Sequence, residues 1–180
     1  KVKESVHGID LGPLRPGLEN RVVTRDGAID LMPERYAPQL AELAAWQPPK
    51  PDSLLLIGRR HVRSNNSWMH NSKRLVKGKN RCNLMLHPLD ADRLGINEGQ
   101  LVRIKGDGGE IELPATVSED IMPGVVSAPH GYGHGRDGVQ LSVASAHAGA
   151  SINDVIGNRH VQALTGMAVI NGVPVEVSAG

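Results

Sequence analysis

Residues 83–106 read NLMLHPLDADRLGINEGQLVRIKG. Asn83–Leu86 and Leu101–Lys105 have the length and composition of short strands. His87-Pro88 ends the first, because proline lacks the N–H that a strand ladder needs. Asp90–Leu94 then makes one helical turn, and Gly95 suits the left-handed position that closes a helix. In the second run Val102 and Ile104 share one face. Asp107-Gly108-Gly109 turns the chain, and Ile111, Leu113, Ala115 and Val117 alternate with Glu110, Glu112, Pro114 and Thr116 as the returning strand.

Outward from this core the punctuation is the same. Met122-Pro123-Gly124 is a turn before a strand at Val125–Ala128. Near the end, Met167–Ile170, an Asn171-Gly172 hairpin turn and Val173–Val177 read as two further strands. Upstream, Ser53–Ile57 is an apolar run of strand length stopped by Gly58. Before it, Pro48-Pro49-Lys50-Pro51 stiffens the chain and marks a boundary. Residues 1–50 read as an irregular connector with a short helix over Pro38–Trp46. An Asp26-Gly27 turn leads there into a short strand, Ala28–Leu31. Residues 51–180 read as one mainly β domain with short helices, more barrel than sandwich.

With 180 residues the chain is long enough to bury a core. It contains no Phe, so that core is built from Val, Leu, Ile and Ala, while 21 Gly and 12 Pro demand many tight turns. The formal net charge of +1 excludes a polyanion binder acting through its whole surface, so any anion site is local. Cys82 is the only cysteine, which excludes an internal disulfide and a cysteine-only metal site. It is expected to be a buried thiol beside Leu84 and Leu86. No run of about 18 apolar residues exists to span a membrane.

The charge is concentrated at residues 59–81, RRHVRSNNSWMHNSKRLVKGKNR, with eight Lys or Arg, two His and no Asp or Glu. Such a stretch draws in anions, and Arg adds a fork that fits phosphate. Ser64-Asn65-Asn66-Ser67 within it offers amides and hydroxyls. The alternative is a solvated basic loop.

Residues 84–102 carry the pattern P-x-D-A-x-x-L-G-I-x-x-G-x-x-V, and residues 121–126 carry I-x-P-G-V-V. Over roughly residues 53–177 the chain resembles the C-terminal dinucleotide-binding domain of molybdopterin oxidoreductases of the formate dehydrogenase, nitrate reductase and dimethyl sulfoxide reductase type. His7–Gly12 and Arg25–Leu31 resemble the connector that precedes this domain. The resemblance implies a double-psi β-barrel preceded by an irregular N-terminal connector.

The resemblance also implies a cofactor site built from three segments. In the first, Gly58 permits close backbone approach, Arg59, Arg60 or Arg63 pairs a phosphate, and Ser64, Asn65, Asn66 and Ser67 meet the pterin. Trp68 is either a stacking face or a packed side chain. In the second, His130, Gly131, Tyr132 and Gly133 stand where the family has H-G-W-G. This stretch departs from G-x-G-x-x-G, since Arg136 holds the last position. His130 and His134 are not expected to hold a metal, because a glycine-rich coil does not bring both imidazoles to one face. In the third, Asn153 meets the cofactor and Asp154 accepts from a guanine edge; the alternative is that they cap a turn. Val155-Ile156 departs here from the family's Leu-Thr.

No catalytic residue and no metal ligand are expected in this chain. Cys82 does not match the family's metal-ligand motif, and one cysteine cannot hold an iron–sulfur cluster. The resemblance implies a domain that binds the phosphates, guanine and pterin of bis(molybdopterin guanine dinucleotide), with Mo or W. Metal and substrate sites would lie in upstream domains of the same polypeptide, so the 180 residues alone are expected to be inactive. An electron-transfer subunit is a further expected partner, and a cytoplasmic location is expected. Two other readings stay open: a nucleic-acid-binding barrel using residues 59–81, and a protein-interaction double-psi barrel. The near absence of aromatics argues against the first.

Overall fold

A computed structural model describes residues 2–50 and 52–180. Pro51, where the sequence places the start of the second domain, lies outside the described residues. The chain forms two compact units, Lys1–Gln47 and Pro48–Gly180.

In the first unit only α1, Ala37–Ala45, is a regular helix; 3-10 turns occur at Val2–Glu4 and Glu34–Tyr36. None of residues 2–47 is buried. The predicted helix is therefore present, but the predicted strand at Ala28–Leu31 is not formed. Asp26 Oδ1 accepts from the Ala28 N–H and Thr24 Oγ1 donates to the Ala28 carbonyl. These local bonds make the Asp-Gly turn self-contained, with no ladder beyond it.

The second unit is a closed six-stranded barrel. Its strands are β1 Leu54–Arg59, β2 Leu84–Leu86, β3 Leu101–Gly106, β4 Gly109–Val117, β5 Val125–Pro129 and β6 Val173–Ala179. Around the barrel the order is β1, β5, β2, β4, β3, β6. The pairs β1–β5 and β2–β4 are parallel and the other four antiparallel. The fold is a double-psi β-barrel, mainly β with short helices. Closure leaves no free edge, which is how strands this short become stable together.

Period-2 alternation sends Leu54, Leu56, Leu84, Leu86, Val102, Ile104, Leu113, Val126 and Val175 inward, where all are buried. Cys82 joins that core as expected. α3, Pro88–Leu94, is the helical turn read from the sequence, and Gly95 closes it at φ +65°. Its Asp90 is buried and tied at both oxygens, accepting from Arg93 at 3.0 Å and from the Gly124 N–H at 2.7 Å. This bond joins the two sequence patterns of residues 84–102 and 121–126.

The expected strand at Met167–Ile170 is reduced to a single bridge, Val161 to Ala168. The reason is topological. β6 already has β1 and β3 on its two sides, so no edge is left for a hairpin partner. Asn171 instead accepts the Gly58 N–H on its side chain at 2.7 Å, and Gly172 donates to the Leu56 carbonyl. Three one-turn helices escaped the sequence reading: α2 Lys73–Val76 inside the basic stretch, α4 Ser142–Ala146 and α5 Asn153–Ile156. Each is too short to show a period. Among the described residues no helix is long and apolar enough to cross a membrane.

Candidate functional site

Two of the three predicted segments leave the barrel at the same place. β1 and β5 run parallel and in register, with Leu55 opposite Val125 and Arg59 opposite Pro129. Residues 60–72 and 130–135 therefore emerge side by side. Gly58 is the hinge of this arrangement: a Cβ there would meet His130 Nε2 at 2.0 Å, so the imidazole lies directly on the glycine backbone. The His130 N–H donates to the Arg59 carbonyl at 3.0 Å.

The loop after β1 folds on itself. The N–H groups of Ser64 and Asn65 both donate to the His61 carbonyl, as does Ser64 Oγ. Asn65 and Asn66 take φ values of +42° and +59°. Asn tolerates this left-handed region better than most residues, and its cost is accepted where a loop must turn sharply. Arg60 donates to Asn66 Oδ1. Gly131 fits against this turn, since a Cβ on it would meet the Asn66 carbonyl oxygen at 2.1 Å. Ser67 and Trp68 are exposed, Trp68 by 85%. Trp68 is thus an available face rather than a packed one.

The third segment joins through the second. A Cβ on Gly133 would meet the Ser151 Cβ at 2.8 Å, and its N–H donates to the Ala148 carbonyl. Arg136 forms an ion pair with Asp154. Asn153 stands exposed at the start of α5. Asp154 also backs onto the β3–β4 turn, where its carbonyl would lie 2.8 Å from a Cβ on Gly108. The structure thus links all three segments, with Asn153 and Asp154 on the flank toward Gly108.

Arg59 differs from the phosphate-pairing role expected of it. Its guanidinium lies half-buried along the barrel wall and donates to the Ser127 carbonyl at 3.0 Å and to the Asn83 carbonyl and side chain at 3.1 and 2.5 Å. Burial pushes its pKa down, but arginine starts so far above neutrality that it stays charged. It clamps β1 to β5 and β2 across the barrel mouth. Strand alternation does not signal this, because it places Arg59 with Leu55 and Ile57, on the face opposite the buried Leu54 and Leu56.

A cavity of about 390 Å³ opens beside the loops, with Arg63, Ser64 and Tyr132 in its wall. Residues the sequence reading did not single out complete it: His70, Lys79, Arg81 and Gly149. Gly149 is needed there, since a Cβ would meet Cys82 Sγ at 2.5 Å and the Tyr132 ring at 2.7 Å. Asn71 Oδ1 accepts from the N–H groups of Val143 and Ala144, docking the loop on α4. Only the charge of residues 59–81 hinted at these groups; an aperiodic loop does not reveal which side chains turn in. Burial pushes the His61, His70 and His130 pKa values down and those of Cys82 and Tyr132 up, in each case by disfavouring the charged form.

The pairing of His134 is with His70, at 2.9 Å between Nε2 and Nδ1, and not with His130. Among the described residues no cluster of three or more His, Cys, Asp or Glu is arranged to hold a metal ion. The residues present fit a phosphate-bearing group. Glycines bring backbone to the surface, Arg63, Lys79 and Arg81 have no acidic partner among the described residues, and His70 Nε2 is buried without one.

Comparison with known proteins gives a consistent result. Residues 54–174 match the model of the molydopterin dinucleotide binding domain. One tetrathionate reductase subunit, from Salmonella typhimurium, is 31% identical over 109 residues, covering 51% of this chain and 11% of that protein. ArrA, the molybdopterin-containing subunit of the arsenate respiratory reductase of Chrysiogenes arsenatis, is 28% identical over 171 residues, covering 86% of this chain and 20% of that one. The chain thus spans a fifth or less of the length of these curated relatives. Among solved structures, acetylene hydratase from Pelobacter acetylenicus superposes with a TM-score of 0.61 at 19% identity, over 83% of this chain and 20% of that one, which is a likeness of fold.

Proposed function

Because the chain belongs to the molydopterin dinucleotide binding domain family, we propose that it is the C-terminal, cofactor-closing domain of a larger molybdenum or tungsten oxidoreductase. The cofactor in this reading is bis(molybdopterin guanine dinucleotide). The observation that carries it is the convergence, inside the matched region, of the loop after β1, the loop after β5 and the start of α5. In this reading residues 51–180 are the binding domain and residues 1–50 the connector to domains upstream.

The bound group supplies the redox chemistry, through its metal. This chain's residues bind and orient it. Arg60 and Arg63 offer charge to phosphate. Ser64, Asn65, Asn66 and Ser67 offer a row of hydroxyls and amides to heteroatom edges. Gly58, Gly131 and Gly133 let backbone approach closely, with His130 and Tyr132 packed as walls. Asn153 and Asp154 stand on the flank suited to a guanine edge, where Asp154 would have to share its carboxylate with Arg136. Arg59 acts indirectly, by holding the strand ends that carry the loops.

A nucleic-acid reading of residues 59–81 is not favoured. Arg59 is spent on the Ser127 and Asn83 carbonyls, and Trp68 is the one aromatic in that stretch. The test is to measure molybdenum and tungsten by elemental mass spectrometry in the full-length gene product, together with nucleotide released by acid. Metal with about two guanine nucleotides per chain, the ratio in a bis-dinucleotide cofactor, is expected. Neither metal nor nucleotide, from a host able to make the cofactor, would refute the reading.

A further inference from the structure

His70 and His134 meet ring to ring, with Nδ1 of the first 2.9 Å from Nε2 of the second. At that distance one proton lies between the two nitrogens, since two bare nitrogens or two N–H groups would repel. His70 is 3% exposed, and its Nε2 is sealed from solvent with no hydrogen-bond partner among the described residues. A neutral imidazole carries one N–H. In the neutral pair His70 uses that N–H on His134, and no buried N–H is left unpaired. A proton added to the intact pair ends this. Whether His70 or His134 carries the charge, the single shared proton forces an N–H onto His70 Nε2, where nothing accepts it. A second added proton sets two N–H groups against each other across the contact.

The surroundings give an added charge no relief. His61 and Arg63 from the same loop, Lys79 and Arg81 from the stretch before β2, and His147 at the end of α4 line one cavity with His70, and all are bases. Burial raises the pKa of Cys82 and Tyr132 beside them, so neither offers a negative charge at neutral pH or below. The one carboxylate of that wall, Glu112, pairs with Arg103 at 3.3 Å. Burial, and then the facing His134, press His70 toward its neutral form. Tyr132 packs on the His70 ring with centroids 4.5 Å apart and holds its plane. One residue on, Asn71 Oδ1 accepts the N–H groups of Val143 and Ala144. The pair thus pins the loop after β1 to the loop after β5 and, through Asn71, to α4.

We propose that the His70–His134 contact is an acid-opened clasp: closed while both imidazoles are neutral, it holds the loop after β1 against the loop after β5, and it parts when they are protonated. In the open state each ring reaches water and takes up a proton at its ordinary pKa of about 6.5. The closed state takes up none. Opening is rare above that pH and grows as pH falls below it, by up to about tenfold per pH unit for each ring released and about a hundredfold for both. The clasp goes beyond the cofactor reading and does not rest on it. Under that reading the released loop is the one that carries Ser64 to Ser67, so acid loosens the face that meets the cofactor.

The test is amide hydrogen exchange on the full-length protein from a host that cannot make the cofactor, followed from about pH 8 to about pH 5 and corrected for the intrinsic pH dependence of exchange. The reporters are the N–H groups of Val143 and Ala144, which lose their acceptor when Asn71 leaves with the loop. The β3–β4 ladder contains none of these residues and reports global unfolding. Opening at the reporters is expected to rise steeply below about pH 6.5 while the ladder stays protected. His134→Gln keeps an oxygen at the Nε2 position to accept the His70 N–H, but does not titrate. His70→Asn keeps an amide at the Nδ1 position, which turns to meet His134 in either charge state. Each variant should lose about one tenfold step per pH unit from the native slope. A pair that matters only for packing would not show this, and either variant serves alone where the other does not fold. Reporter opening indifferent to pH in the native protein overturns the proposal. So does a native acid slope in either variant, or ladder exchange that rises in step with the reporters. Cofactor content enters none of these readouts, so the clasp and the cofactor reading fail separately.

Discussion

A side chain on Gly131 would place its first carbon 2.1 Å from the backbone oxygen of Asn66. Gly131 follows β5 and Asn66 lies in the loop after β1, so this contact is where two stretches 65 residues apart become one surface. Both residues have positive φ, +90° and +59°. Gly131→Ala therefore meets a steric and a conformational obstacle together. We expect a loss of about 3 kcal/mol in unfolding free energy, at the high end for a single substitution. Chemical denaturation measures it; a loss under about 0.5 kcal/mol would mean that the two loops are not packed this way.

Asp90 is a buried carboxylate that holds α3 to the Gly124 turn. Asp90→Ala leaves the Gly124 N–H and the Arg93 guanidinium without their acceptor. A drop of about 2 kcal/mol in unfolding free energy is expected, measured by chemical denaturation; an unchanged value would mean that Asp90 does not tie α3 to the turn.

Arg59 separates a structural from a ligand-binding arginine. Its guanidinium is committed to Ser127 and Asn83. Arg59→Lys keeps the charge but loses the fork, so the melting temperature should fall. Arg63→Lys should leave stability unchanged, because Arg63 has no such bonds among the described residues. The reverse pattern would show that Arg59 faces the ligand.

Acid should weaken the fold through its histidines. Burial holds the pKa of His61, His70 and His130 below the ordinary value, with neighbouring cations adding to the effect at His61 and His130 and the His134 charge adding at His70. A base whose folded pKa is depressed binds its proton more readily when unfolded. Its contribution is thus complete above about pH 6.5, the unfolded value, and is lost as pH falls below it toward the folded value. Melting temperature should fall from pH 7 to pH 5, and His130→Phe should flatten that slope. A melting temperature flat across this range would contradict the placement of these rings.

Cys82 offers a clean report on barrel opening. It is buried in the core, and burial pushes its thiol pKa up, which lowers the thiolate fraction that reacts. Alkylation by iodoacetamide should be slow in the native protein and fast in denaturant. Rapid native labelling would show that the wall formed with Gly149 and Tyr132 opens readily.

Much of the barrel was legible because local and global demands agree. Alternation in Leu101–Lys105 and residues 110–117, the Gly95 cap and the Met122-Pro123-Gly124 turn each state a preference that the fold obeys. Where local signals stood alone they misled. Asp26-Gly27 and Asn171-Gly172 are both turn signals, yet neither joins two strands, because pairing depends on a partner that only the whole sheet supplies. The segments bearing the candidate site were also legible, as charge and glycine at residues 58–67 and 130–133.

By itself, then, the sequence determined the six barrel strands, the family pattern of residues 84–126 and the concentration of cations before β2, since each is written in period, turn chemistry or charge along the chain. The direction each loop side chain takes was decided only in three dimensions. Arg59 became bonded to Ser127 and Asn83 while Arg63 stayed exposed, and His70 became buried against His134, 64 positions away. An irregular loop has no period to announce its faces, so its side chains are assigned by the parallel β1–β5 pair that brings its neighbours alongside.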